Sequence, residues 1–476
     1  MFLPSPDGYP VGSTTFISPR TPPVTSGSAK IKRNGRLLLD EVCWTAYYPC
    51  DVSSNPKKGL PWLCRPLGVD HKGYAIFLGL RYWISWIVTW PLVYLYGQFL
   101  KVPTYVNAPL LKPASPESRW PLVIFSHGLG GSRTAYSQIC TRLAASGKVV
   151  LAIEHRDGSA HAIVSRNWET EKESKRIVFY VPEKDATWDD ENTHPELEIP
   201  PPLPLRTDQL IIRQHEIYHT FETFSRFVKG EQGVQIKSID GNELPMESWI
   251  GDVSSPIHLD TIQLAGHSFG GCTLFSILST HPPQRYKRLP VTHALILDPW
   301  MDPFPSPGPV PITASQKDND MQSAINENVT ANGNGAINDG VDRLPRMLVI
   351  NSEGFTLWTD HFARLESAVK AFGAKLVTLV RCSHPSFSDF PLLPLIKTKT
   401  NVEVMKMIAG LSIKFLDNQL DTDDSIKSTL EQCVQNSDIS IRILHSVPEK
   451  IVIGKWGDGS NKHKMVGNVG DVIIHS

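Results

Sequence analysis

The stretch Thr261 to Phe275, TIQLAGHSFGGCTLF, constrains the fold of this chain more than any other. Apolar Ile262, Leu264 and Ala265 lead into Gly266-His267-Ser268-Phe269-Gly270-Gly271, after which Leu274, Phe275 and Leu278 recur at helical spacing. The pattern is a strand, a forced turn and a helix. A serine at such a turn stands proud of the sheet in a strained conformation, and glycines flank it because a larger side chain would collide with the neighbouring strand and helix. A bare G-x-S-x-G is weak evidence; the strand before it and the helix after it give this one its weight. Ser268 is the candidate nucleophile.

A serine hydroxyl needs a base to take its proton, an acid to orient that base, and donors for the oxyanion. The apolar run Pro121 to Ser126 enters His127-Gly128-Leu129-Gly130-Gly131, followed by a helical segment from Thr134 to Ser146 and a strand from Val149 to Ile153. No G-K-[ST] follows that glycine loop, so it is not read as a phosphate loop. Further strands run from His293 to Asp298, from Arg346 to Ile350 and from Lys375 to Val380, the last delivering Arg381-Cys382-Ser383-His384-Pro385; a helix near Val402 to Leu416 closes the core. Strands alternating with helices predict a mostly parallel central sheet with helices on both faces. Ser268, Asp298 and His384 then fall at strand ends in the chain order of α/β-hydrolase triads, which makes an α/β-hydrolase fold with inserted surface loops the expected class. His384 is the expected base, Asp298 its orienting acid, and the backbone N–H groups of Leu129 and Phe269 the oxyanion donors. Asp302, four residues on, competes with Asp298. His361 reads as a surface residue of a helix, and His267 as structural or pocket-lining. His215 and His219 read as a pair on a solvated helix face, within a long helix from Thr207 to Val228, because no H-E-x-x-H is present. Neither a His/Cys cluster nor a paired-carboxylate signature suggests a metal or cofactor.

Around this frame, residues 1 to about 30 are rich in Pro, Ser, Thr and Gly and read as a flexible leader, with the hydrolase domain over 31–420 and a tail without evident chemistry over 421–476. Arg36 to Tyr48 suits a first strand or hairpin. Insertions are expected over about 165–205 and 306–342, the second rich in Asn, Gly and Asp. The run Tyr74 to Leu100 is the most apolar in the chain, and on one helix Trp83, Trp86, Trp90 and Tyr94 form a single aromatic stripe. Three readings are open: a helix lying in a membrane interface, a helix packed over the site, or a lone span kinked by Pro91 with Arg81 at its edge.

Lys plus Arg at 47 nearly balance Asp plus Glu at 48, so a nucleic-acid binder relying on a general basic field is excluded. The first residues lack a basic n-region and an apolar h-region, so an intracellular location is expected, cytoplasmic or at a membrane. Seven cysteines without a C-x-x-C pair read as reduced thiols, and the Asn328 sequon is discounted accordingly.

Six motifs carry a resemblance: SHGLGGSRTAYS at Ser126 to Ser137, EHRDGSA at Glu154 to Ala160, GHSFGG at Gly266 to Gly271, LDPW at Leu297 to Trp300, INSE at Ile350 to Glu353, and H-x-x-F-x-D-F from His384 to Phe390. In this order they closely resemble platelet-activating factor acetylhydrolases of the plasma and intracellular type-two kind, over most of residues 8 to 420. The resemblance implies a calcium-independent phospholipase that removes acetyl or other short or oxidised acyl chains from the sn-2 position of glycerophosphocholines. It places Ser268, Asp298 and His384 at the triad and Leu129 and Phe269 at the oxyanion hole. It also implies a membrane partner for the Tyr74 to Leu100 region. The two insertions and the tail depart from the family pattern and leave the substrate range open. A general lipase or carboxylesterase, or a non-catalytic membrane-docking protein on a hydrolase scaffold, are the alternatives.

Overall fold

A strand that is apolar at every position has to be covered on both faces, which is the situation of a parallel strand inside a sheet. The runs identified above behave this way in a computed structural model, which describes residues 1–31, 35–115, 117–166, 175–188, 201–241, 244–250, 255–312, 344–455 and 461–475. In chain order the main strands are β1 (Val11–Ile31), β2 (Gly35–Pro49), β3 (Lys58–Pro61), β4 (Lys101–Val106), β5 (Trp120–Ser126), β6 (Val149–Ile153), β7 (Ala162–Arg166), β8 (Lys175–Phe179), β9 (Ile257–His267), β10 (Val291–Leu297), β11 (Arg346–Ser352), β12 (Lys375–Leu379), β13 (Arg442–Leu444), β14 (Lys450–Lys455), β15 (Asn461–Met465) and β16 (Asp471–His475). The central sheet has the order β13-β16-β12-β11-β10-β9-β5-β6-β2-β1-β4-β3. From β12 across to β6 all neighbours are parallel, and β2 and β16 close this block antiparallel on its two sides.

Along β5, Leu122 and Ile124 enter the core on one face while Val123 and Phe125 enter the core on the other. The helices that cover the first face include α5 (Pro204–Val228), α6 (Phe269–Ser279) and α8 (Thr359–Phe372), the last preceded by the short α7 (Glu353–Leu357); α4 (Ser137–Ala145), α9 (Lys399–Leu416) and α10 (Asp423–Val434) cover the second. This is the α/β-hydrolase arrangement the sequence implies. β9 lies on one side of β5 and β6 on the other, so the strand order reverses at β5, the kind of switch point where such sheets hold their ligands.

Several expectations are corrected. Residues 1 to 30 are no flexible leader, since β1 pairs with β2 from Val11↔Pro49 to Ile31↔Gly35. Its prolines hid it: the ladder skips from Pro19 to Val24, where Pro22 and Pro23 have no N–H to give. The 421–476 tail contains α10 and the sheet strands β13 and β16, and the short apolar run Val472–Ile474 was too brief to stand out. Part of the 165–205 insertion is ordered as the β7–β8 hairpin and as Ala186–Thr187 paired to β1; 167–174 and 189–200 lie outside the described residues, as does 313–343 of the second insertion. His219 is buried, not solvated, and its Nε2 donates to Pro19 O at 3.0 Å; the burial of His215 pushes its imidazole down to about 4.

The apolar run does not form one helix. α1 (Leu67–Phe77) ends at Gly79, whose φ of +67° reverses the chain, and α2 (Tyr82–Val88) and α3 (Trp90–Leu95) are separate short helices. No helix among the described residues is long and apolar enough to cross a membrane. The aromatic stripe is Tyr82, Trp86, Trp90 and Tyr94, with successive ring centroids 6.0, 4.4 and 5.9 Å apart, while Trp83 stands on another face and is 62% exposed. Ile87, Val88, Leu92 and Leu95 are exposed beside it.

Ile473 of β16 is fully buried against Val380 and Met465. Its replacement by Ala is expected to lower the unfolding free energy by about 2 to 4 kcal/mol in a denaturant titration. A change within error would show that the C-terminal strand does not complete the sheet.

Candidate active site

Strand β9 ends at His267 and α6 begins at Phe269, so Ser268 alone makes the turn, with φ +57° and ψ −118°. That conformation is strained for a residue with a Cβ and holds only because its surroundings fix it. A Cβ on Gly270 would lie 2.0 Å from Ser126 O, and one on Gly266 would lie 2.6 Å from Gly270 O, so the helix start is pressed against β5 and β9 as closely as backbone permits. Ser268 N donates to Leu297 O at 3.0 Å, and Ser268 O accepts from Trp300 N at 3.1 Å, which locks the elbow to the end of β10.

Asp298 follows β10 at once and is fully buried. One carboxylate oxygen accepts from Ser352 N at 2.6 Å, and the other lies 2.6 Å from His384 Nδ1. The carboxamide of Asn351, turned so that both its ends are satisfied, also donates to Asp298 Oδ1 at 2.8 Å. Asp302 is engaged elsewhere, with Arg364 and with Trp300 Nε1, and makes no bond to His384. The His384 ring stacks on Phe355 at 4.3 Å and leans on His267 at 4.5 Å, leaving about a third of its side chain open. No hydrogen bond joins Ser268 Oγ to His384 here; such bonds are often long before substrate binds.

The glycine loop after β5 lies against the serine. A Cβ on Gly128 would be 2.9 Å from Ser268 Cβ. Gly128 N donates to Tyr136 OH, Gly130 N to Ser159 O and Gly131 N to Gly128 O, while the Leu129 and Phe269 N–H groups have no protein acceptor among the described residues. Tyr136 OH also lies 2.8 Å from His267 Nδ1. Burial, reinforced by the neighbouring His384, pushes His267 well below the usual imidazole range, so no second positive charge opposes an imidazolium at His384.

Sequence reasoning missed three positioning groups. Arg213 of α5 is fully buried; it donates to His127 O at 2.8 Å, Asp157 Oδ2 at 3.0 Å and Ser159 Oγ at 2.6 Å, and its guanidinium lies 4.4 Å from the Phe269 ring centroid. Asp389 accepts from Trp62 Nε1 and from the Ser137 and Gln138 N–H groups, tying the His384 loop to the start of α4; burial raises its carboxyl to about 6. His361 is fully buried instead of being a surface residue: its Nε2 accepts from Met301 N at 3.0 Å, and Trp358 stacks on it at 4.7 Å. Only the H-x-x-F-x-D-F spacing marked Asp389 in the sequence.

His267, Asp298 and His384 bring ligand-type atoms within 4.8 Å of one another. The hydrogen-bonded Asp298–His384 pair accounts for this closeness, since the carboxylate already has the imidazole N–H and the Ser352 N–H as partners. Beside His384 a cleft of about 770 Å³ opens, lined by Phe355, Trp358 and Asp360 and, across from them, Asn461 and His463.

The family model for platelet-activating factor acetylhydrolase, isoform II, matches residues 23–308, a stretch that contains Ser268, Asp298, Leu129 and Phe269. The platelet-activating factor acetylhydrolase of Canis lupus familiaris is 31% identical over 241 residues, covering 50% of this chain and 47% of that one. That of Gallus gallus is 26% identical over 276 residues, covering 58% and 54%. The chain thus spans about half the length of the curated relatives it matches. Among solved structures, a ferulic acid esterase from Streptomyces cinnamoneus is 15% identical with a TM-score of 0.47, covering 88% of this chain and 92% of that one.

Burial pushes the His361 imidazole down to about 4 from 6.5. Between those values the unfolded chain binds a proton that the folded chain refuses. Stability from this residue is therefore complete above pH 6.5 and is lost as pH falls to about 4, by at most about 3 kcal/mol. His361→Gln keeps an acceptor for Met301 N–H and is expected to flatten the dependence of stability on pH over that window. Equal slopes for the two proteins in denaturation measured at several pH values would refute this assignment.

Proposed function

The chain belongs to the platelet-activating factor acetylhydrolase, isoform II, family, and from that membership we propose that it hydrolyses the sn-2 acetyl or short acyl ester of glycerophosphocholines without calcium. The observation that carries the reading is the buried Asp298, at the strand end beside the Ser268 elbow, held 2.6 Å from His384 Nδ1. In this reading His384 Nε2 takes the Ser268 proton as Oγ attacks the ester carbonyl, and Asp298 stabilises the imidazolium that results. The Leu129 and Phe269 N–H groups receive the oxyanion; each such donor supplies about 3 to 4 kcal/mol in known cases. Collapse breaks the bond to the sn-2 oxygen, which leaves with the proton from His384. Water, activated by the same histidine, then releases the acyl group and restores Ser268.

The substrate sits in a membrane, and the exposed faces of α2 and α3 support docking there. They are tied to the glycine loop through α1: Ser85 Oγ of α2 lies 3.0 Å from His71 Nε2 of α1, and a Cβ on Gly130 would be 2.4 Å from the Phe77 ring of α1. Trp83 and Ile87 are 62% and 65% exposed. Replacing both with Ser is expected to weaken partitioning onto phosphatidylcholine vesicles at least ~10-fold, because two large apolar side chains no longer enter the interface. Unaltered sedimentation with vesicles would remove α2 from the docking surface.

The decisive assay compares acyl release from acetyl and long-chain phosphatidylcholines in EDTA, for the wild type and Ser268→Ala. Acetyl-selective turnover that survives EDTA and drops by ~10⁴-fold or more in the variant is the expected result. Turnover of simple esters or triglycerides in preference to acetyl phospholipid would favour a general carboxylesterase instead.

A further inference from the structure

The cleft beside His384 is built largely from chain outside the family match. Along β15 side chains alternate, so Asn461, His463 and Met465 share one face. Met465 is buried against Val380 and Ile473, and Asn461 and His463, on the same face, line the cleft. The strand is fixed there by charge. The Glu353 carboxylate accepts from Met465 N and from Arg381 N, each at 2.8 Å, and the Arg381 guanidinium donates to Gly467 O at 2.7 Å. The loop that carries His384 and the hairpin that faces it are thereby held by one pair of residues.

Which part of a substrate lies here follows from the chemistry of His384. In the reaction above its proton goes to the leaving oxygen, so the leaving alcohol lies on the histidine side of the serine, and His384 lines this cleft where Ser268 does not. For an sn-2 ester that alcohol is the lysophospholipid, which carries the headgroup. The lining suits it: Trp358, 43% exposed, and Asp360 offer an aromatic face and a carboxylate, the pairing that holds a quaternary ammonium. His463 and Asn461 offer N–H donors for a phosphodiester. Phe355 and Leu357 add apolar lining beside these polar groups, against which the glycerol backbone can pack.

Resting on the substrate reading above, we propose that this cleft is the headgroup subsite, with His463 and Asn461 on the phosphate and Trp358 with Asp360 on the trimethylammonium. The test measures kcat and KM on an acetyl phosphocholine lipid and on p-nitrophenyl acetate, which has no headgroup, for the wild type, His463→Ala, His463→Gln and Trp358→Ala. The lipid kcat/KM divided by that for p-nitrophenyl acetate is expected to fall ~10-fold or more in His463→Ala, mainly through KM, and to recover partly in His463→Gln. Trp358→Ala is expected to lose preference for choline over ethanolamine headgroups. A ratio that stays at the wild-type value in His463→Ala, in an enzyme that does cleave the lipid, overturns the headgroup assignment alone. A wild type that cleaves p-nitrophenyl acetate but no glycerophospholipid overturns the substrate reading, and the subsite with it.

Discussion

Everything at the site depends on how closely the start of α6 is pressed into the sheet. With Gly270 packed so that a methyl group would sit 2.0 Å from Ser126 O, the helix cannot move away from β5 without opening the elbow. The same contact fixes Ser268 against the Gly128 loop and sets the Phe269 N–H beside it. Asp298 and the Ser352 N–H that holds it are then placed by register: Leu297 pairs with His267 on one side and Ile350 on the other, so that the chain leaves three neighbouring strands at one level, and His384 reaches Asp298 from the loop after β12.

A second layer of buried charge keeps this geometry. Arg213 holds the carbonyl of His127, the carboxylate of Asp157 and the face of Phe269 at once, joining the glycine loop and the start of α6 to α5. Removing one partner from such a network leaves a charge unpaired in the interior, which is far costlier than losing a surface ion pair. Nearby, burial favours neutral His155 and a protonated Glu216, so that the histidine bound to Ser126 Oγ adds no further charge.

Legibility in the sequence followed range. The elbow, the glycine loop and the strand ends were readable because each is encoded within about a dozen residues: an apolar run, then glycine, aspartate or histidine where it stops. β1 was not, since its Pro-rich composition resembles a loop and only pairing with β2 makes it a strand. The burial of Arg213, Asp389 and Glu353 was unreadable for another reason. Their partners lie 56, 252 and 112 residues away, and nothing in the local pattern of a charged residue says that it will be buried. His361 shows the same limit: a helical spacing with one polar residue reads as a surface, yet its imidazole supports the turn after Asp298.

Strand β15 of the hairpin hangs from Glu353 and Arg381, and among the described residues no hydrogen bond joins it to the elbow or the glycine loop. Of the groups around the elbow only His384 reaches the cleft, whose far wall at Asn461 and His463 comes from a separate stretch of chain. Substitution in the hairpin can drift while the strand ends stay constrained by the packing of the elbow and of Asp298. Two chains that agree closely over 23–308 are free to diverge at this wall, so that, on the function proposed above, kinship in the reaction does not by itself carry kinship in selectivity.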